Sequence, residues 1–251
     1  MLIEKIFFPH QRVLCAFPRQ IGELKLAVSE LSLHAGRPVI VLIGGEIGKE
    51  EMVITQQAIQ TISKVAEDLN AFVICGGTDM GVMAKIGQAR WHDHYKFPLI
   101  GMAPEELVSW PGGPFSIKFL WWGKKRWPLA DHYSHFILVP GGQFGDESPW
   151  IVEAANILST GHRSVTILIN GGEISRKDIE LSLANGRPVI VLSGTGRLAN
   201  ELANRPERHK LLTIVPANIE KRVIDEIKAA LAGSDSNMEL NHETEKLTSF
   251  N

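Results

Sequence analysis

Five carboxylates in this chain stand beside glycine pairs. They are Glu46 in "VLIGGEIG", Asp79 in "VICGGTDMG", Asp146 and Glu147 in "LVPGGQFGDE", and Glu173 in "LINGGEIS". A further glycine loop, "VLSGTGR", carries Arg197 instead. Glycine admits positive φ and lets a ligand reach the backbone without a Cβ in the way. A helix that follows adds unpaired N–H groups and the positive end of its dipole. Gly44 and Gly45, Gly76 and Gly77, Gly141 and Gly142, Gly171 and Gly172, and Gly194 and Gly196 are therefore candidate ligand contacts, phosphate first. Each pair read singly is also a plain tight turn; five pairs at one edge favour a site. Carboxylates repel phosphate, so the acids need other work. Asp79 and Asp146 suit helix N-caps, or the acids accept hydrogen bonds from ribose hydroxyls. Arg197 offers a bidentate phosphate fork, or is a solvated arginine at a helix start. The expected arrangement puts phosphate on the N–H groups around Gly141–Gly145, clamped by Arg197, with Asp79 facing the sugar.

Loops that cooperate need strands that end together. Apolar runs at Val13–Phe17, Val39–Ile43, Phe72–Cys75, Pro98–Met102, His135–Val139, Val165–Ile169, Val189–Leu192 and Leu211–Val215 are continuous rather than alternating. That pattern suits strands covered on both faces. Helical patterns lie between them, at Glu50–Asn70, Gly81–Trp91, Pro149–Leu158, Ser175–Ala184, Leu198–Ala203 and Ile219–Leu231. The alternation predicts a doubly wound α/β fold, a mostly parallel sheet with helices on both faces. In such a sheet the C-terminal strand ends share one edge, where ligands bind. Residues 1–232 are expected to form one domain and 233–251 a polar, flexible tail. "GRPVIVL" occurs at Gly36–Leu42 and again at Gly186–Leu192. It reads as a repeated local solution, in which a left-handed glycine closes a helix and a buried strand follows.

Composition excludes several classes. The 251 residues are 44% hydrophobic and 22% charged, with a formal net charge of -2. Nothing there pulls the chain toward nucleic acid or an anionic membrane. Cys15 and Cys75 lie in apolar runs and read as buried thiols. The start, MLIEKIFFPHQ, lacks a secretory pattern, and no apolar run reaches the roughly 20 residues of a membrane span. A soluble, cytoplasmic protein is expected. "GGEIGKEE" is one residue short of a P-loop, and Glu50 stands where a magnesium-binding hydroxyl belongs. His92/His94 and His132/His135 have chelating spacings, but no carboxylate or cysteine pattern completes a site. No metal and no bound cofactor is expected. Ser109–Asp131 holds four of the six tryptophans. It is expected to cover the ligand edge or to form a homo-oligomer contact, because large apolar groups are seldom left bare.

Three segments in order carry a family resemblance: "ICGGTDMGVMAKIG", "HFILVPGGQFGDESPWIVEAANIL" and "TILINGGEISRKDIELSLANGRPVIVLSGTGRLANELA". Across residues 36 to 216 the chain resembles the LSDAT group of the SLOG superfamily, and most of all its stand-alone prokaryotic branch. Relatives there include the Lonely Guy hydrolases, the Smf/DprA DNA-processing proteins and the N-terminal region of melastatin-type TRP channels. The resemblance implies a Rossmann-like fold and a nucleotide-derived ligand, with ADP-ribose-like molecules leading. Carried over by position, it adds Thr78, Gly81 and Gly145 to the ligand loops. The chain departs from the Lonely Guy pattern PGGxGTxxE. Phe144 is inserted, Asp146 replaces the threonine, and Pro149 falls where the glutamate belongs. Glu147 and Glu153 are the substitutes. Glycosidic cleavage needs a well-placed carboxylate, so binding or sensing is favoured over hydrolysis. The alternatives are a nucleotide N-glycosidase using Glu147 or Glu153 and, third, single-stranded DNA binding through the tryptophan segment and Lys124–Arg126.

Overall fold

The computed structural model describes residues 1–113, 126–205 and 209–232. Most of the tryptophan-rich segment, including Trp121, Trp122 and Lys124, and the whole tail from 233 lie outside the described residues.

Nine strands form one sheet: β1 (Leu2–Phe7), β2 (Arg12–Phe17), β3 (Val39–Gly44), β4 (Phe72–Cys75), β5 (Leu99–Pro104), β8 (His135–Val139), β9 (Ser164–Ile169), β10 (Val189–Ser193) and β11 (Leu212–Pro216). A two-stranded ribbon joins β6 (Val108–Ser109) to β7 (Trp127–Pro128). The helices are α1 (Leu24–Glu30), α2 (Met52–Asp68), α3 (Gly81–His92), α4 (Ser148–Leu158), α5 (Glu173–Ala184), α6 (Arg197–Ala203) and α7 (Glu220–Ala232). The order across the sheet is β1-β2-β8-β5-β4-β3-β9-β10-β11. Every neighbour pair is parallel except β1 and β2.

The expected Rossmann-like doubly wound architecture is therefore present, and it has a definite switch point. From β3 the chain steps outward through β4 and β5 to β8. It then returns across the sheet and restarts at β9, on the other side of β3. Loops leaving β3 and β9 diverge there and open a crevice. The five glycine loops all follow parallel strands, so all lie along this edge.

Each sheet face carries its own core. Ile40 and Leu42 of β3 pack with Ala58, Ile59 and Ile62 of α2, Val82 and Ile86 of α3, and Val223 and Ile227 of α7. Val39, Val41 and Ile43 point the other way, toward Leu24 of α1, Ala154 of α4, Ile179 of α5 and Leu198 of α6. This is why the strands read as continuous apolar runs: alternate residues serve two cores. The edge strand β1, with Leu2 and Phe7 exposed, has a mixed pattern and no counterpart in the sequence reading. The repeated GRPVIVL segments differ at their glycines. Gly186 closes α5, donating to Leu183 O, with Arg187 donating to Ser182 O. Gly36 follows no helix directly and donates to Leu158 O of α4.

Two glycines set the spacing of the loops along this edge. Gly77 has φ +74, and a Cβ there would stand 2.7 Å from the Gly101 Cα of the neighbouring strand. Gly81 has φ +49, and its Cβ would stand 2.1 Å from Gly45 O. Backbone thus lies on backbone, with no room for a side chain.

Candidate functional site

A cavity of about 280 Å³ opens at the switch point. Gly44, Gly45 and Glu46 after β3 form one wall, and Gly76, Thr78, Met80 and Met83 after β4 form the next. Trp127 of β7, Phe144 and Glu147 after β8, Ile151 of α4, and Ile174, Ser175 and Asp178 of α5 close it. The walls are mainly apolar and aromatic, as in small-molecule sites generally. Trp127 is placed by backbone bonds at the base of the tryptophan segment. Asp79 N donates to Pro128 O, Ala130 N to Gly77 O, and Leu129 N to Ser109 O. The segment's base thus meets the glycine loop after β4; most of the segment named in the cover-or-oligomer expectation lies outside the described residues.

Beside this cavity, the loops after β9 and β10 are tied together. Asn170 N donates to the Thr195 hydroxyl, and Ala199 N donates to Asn170 O. Arg197 is exposed and reaches back over the glycine backbone. Its Nη2 stands 2.9 Å from where a Gly172 Cβ would lie, and its Nη1 3.4 Å from a Gly45 Cβ position. Gly172 is the N-cap residue of α5, so the guanidinium and that helix terminus face the same space. The Asn170 side chain is 1% exposed, and its Oδ1 has no hydrogen-bond partner among the described residues. It lies 3.9 Å from the same Gly45 Cβ position. The sequence reading gave Asn170 no role, although a residue at φ 60 before a glycine pair is the kind of outlier that marks sites.

The loop after β8 departs from expectation. The Gly142 and Gln143 N–H groups, expected to cradle phosphate, both donate to the Asp146 carboxylate, at 3.0 and 3.2 Å. Gly145 N donates to Glu147 at 2.7 Å. The chain's own acids already occupy the cradle. These bonds, from Gln143 first and then Gly142, hold the Asp146 carboxyl below its usual range, with Lys177 adding to the effect. Asp146 therefore caps its own loop rather than α4, which has no side-chain cap.

Other expectations need correction. Asp79 is exposed and lies outside the cavity lining. It is not the N-cap of α3, which is Met80 in extended conformation with no side-chain bond. Glu173 is also exposed and pairs with Arg176 at 3.6 Å. Glu153 of α4 does not line the cavity, whereas Glu147 does. Gly77, Gly81, Gly141, Gly142, Gly145, Asp146, Gly171, Gly172, Gly194, Gly196 and Arg197 also lie in these loops without lining it.

Two acids inside the cavity behave unlike the exposed ones. Burial pushes the Glu147 carboxyl up to about 7, against the pull of its backbone bonds, and the nearby Asp178 and Asp146 charges add to the rise. Burial likewise pushes Asp178 up to about 6, opposed by Ser148 and Lys177. No local pattern marks Asp178, which sits mid-helix and reaches the cavity only through the fold. Cys15 and Cys75 are free and buried. Among the described residues no three His, Cys, Asp or Glu side chains gather as a metal site, and no helix is long and apolar enough to cross a membrane.

Comparison with known proteins identifies the family and the fold. Residues 37–239 match the family described as SLOG in TRPM, prokaryote; the chain belongs to that family. Transient receptor potential cation channel subfamily M member 2 of Rattus norvegicus is 27% identical over 169 residues, 56% of this chain. The Mus musculus counterpart matches to the same extent. The match spans only 11% of these relatives' length. Among solved structures, TM1055 superposes with a TM-score of 0.54 at 16% identity, covering 76% of this chain and 98% of that one. The molybdenum cofactor carrier protein of Chlamydomonas reinhardtii gives 0.51 at 15% identity, with 76% and 98% covered. Those likenesses establish the fold. Family and fold together support a nucleotide-related binding fold, with no particular ligand singled out.

Proposed function

We propose that this protein binds a phosphorylated ribose compound, with an ADP-ribose-like molecule as the reference ligand, and acts as a sensor rather than a catalyst. One observation carries the reading. An apolar cavity at the switch point has Gly45 in its wall, and Arg197 reaches over that same glycine, 3.4 Å from its Cβ position, and over the start of α5, 2.9 Å from the Gly172 Cβ position. Phosphate belongs on that side, held by Arg197 and the α5 terminus, while the unpartnered Asn170 Oδ1 can accept a hydrogen bond from a ligand hydroxyl. It does not belong on the loop after β8, whose N–H groups are spent on Asp146. The apolar cavity takes the rest of the nucleotide. Calorimetry with ADP-ribose, AMP and ribose 5-phosphate tests this. Binding should appear, and Arg197→Ala should weaken it about 10- to 100-fold, the range for a lost charge-assisted bond. Absence of heat or thermal shift with all three at millimolar concentration overturns the proposal.

A second reading rests on Glu147, a buried carboxyl in the cavity held near 7, which is suited to protonating a leaving group. Chromatography of the same mixtures decides it: released free base identifies an N-glycosidase, and intact nucleotide supports the binding role.

A further inference from the structure

The α5 side of the cavity carries a feature that phosphate binding does not use. Along α5 the polar positions run in sequence, from Gly172 under Arg197, through Ser175, to Asp178. At 1.5 Å of rise per residue, Asp178 lies about 9 Å beyond the phosphate end. Glu147 lines the same cavity, near enough for the Asp178 charge to act on it. The loop carrying Glu147 is held on α5 by Lys177, whose Nζ donates to Gly145 O at 2.8 Å. Glu147 is only 7% exposed, yet it lines the cavity. Phe144 and Trp127 line the same space, as flat surfaces against which a planar ring can stack. A 5′-nucleotide laid from Arg197 inward has its sugar in the middle and its base at this end.

Resting on the ligand class proposed above, we propose that Glu147 and Asp178 form a base-reading pair that binds the hydrogen-bonding edge of a nucleobase. The chemistry is specific. A protonated carboxyl offers a donor beside an acceptor, which matches the ring nitrogen and amino group of adenine. An ionised carboxylate offers two acceptors, which match the ring N–H and amino group of guanine. Glu147, at about 7, changes between these forms near neutrality. Asp178, at about 6, ionises ahead of it as pH rises, and its charge adds to the rise at Glu147. The charged groups around the pair are Asp146 on the loop after β8, Lys177 on α5 and, across the cavity, Glu46 after β3; the loop after β4 contributes no charged group to the lining. The site prefers adenine on the acid side of neutrality and yields that preference to guanine on the basic side.

The test compares AMP and GMP by calorimetry at pH 6 and pH 8. Both carry the same phosphate, so its own titration cancels in the ratio of affinities. The AMP:GMP ratio should fall about tenfold from pH 6 to pH 8, the size of one discriminating bidentate contact. Glu147→Gln places an amide, a fixed donor beside an acceptor, and should make the preference for AMP independent of pH. Asp178→Asn should shift the pH at which the preference changes. If neither nucleotide binds, the proposed ligand class is wrong and the pair has nothing to read. If both bind and the ratio is the same at both pH values, base reading is overturned while ribose-phosphate binding stands.

Discussion

Two glycine loops on the same sheet edge have opposite characters. After β8, the N–H groups of Gly142, Gln143 and Gly145 all bond to carboxylates of their own loop. After β9, Gly171 and Gly172 lie beside an exposed guanidinium and a buried amide oxygen without a partner among the described residues. Both begin with a buried strand and a glycine pair, and in sequence they look equivalent. A glycine pair only bares the backbone. The neighbouring side chain decides whether the bared groups are already satisfied or still face a ligand.

The sharpest way to break the comparison is to fill each loop. At Gly172 a Cβ would displace Arg197, whereas at Gly142 it would meet nothing within 4 Å. Gly172→Val should therefore cost ADP-ribose affinity at least about 100-fold, or about 3 kcal/mol. Gly142→Val should stay within about twofold, since the bonds to Asp146 remain. Calorimetry on the two folded variants reads both, and equal losses would erase the distinction between the loops.

A smaller effect concerns stability. Glu147 holds its proton up to about 7 in the folded chain. The stability tied to that proton is fully present below the ordinary carboxyl range and is lost as pH rises through about 7. Thermal melts of the parent should fall between pH 5 and 8 relative to Glu147→Gln, by about 2 kcal/mol or less. Parallel curves would mean that Glu147 is more solvated than its place in the cavity implies.

The smallest effect sharpens the contrast from the other side. Asp146→Ala frees the Gly142 and Gln143 N–H groups and should turn the closed loop into a weak anion site. Inorganic phosphate should then raise the melting temperature of this variant by about 2 °C more than that of the parent. An unchanged response would show that the freed groups turn to water instead.

The frame was legible because buried parallel strands leave uninterrupted apolar runs. All eight strands expected from those runs are present, with ends shifted by no more than two residues at Met102 against Pro104. The short ribbon strands β6 and β7 were not legible, nor were β1 and α1. β1 is half exposed, so its apolar residues follow no clean period. α1 has seven residues and no side-chain N-cap, so nothing local announces it. The site was read less well, for a related reason. Glycine pairs mark loop position locally, but the wall a side chain faces is set by packing. Asp79 looks like the sugar reader from its place after a glycine pair, yet it is exposed and does not line the cavity. Asp178 lies mid-helix among Arg176, Lys177 and Glu180, and only the crossing of the loop after β8 over α5 brings it inside.

The contact at Gly81 has a consequence for how a ligand would be received. Val82 N donates to Gly45 O at 3.1 Å, and Gly81 leaves no space between the two backbones. The loop after β3 and the first turn of α3 are thus fastened to each other before any ligand arrives. Half of the cavity rim behaves as one rigid jaw, and the entropy of ordering it falls on folding rather than on binding. Affinity gained in this way requires no additional contact, and any side chain at position 81 would unfasten it.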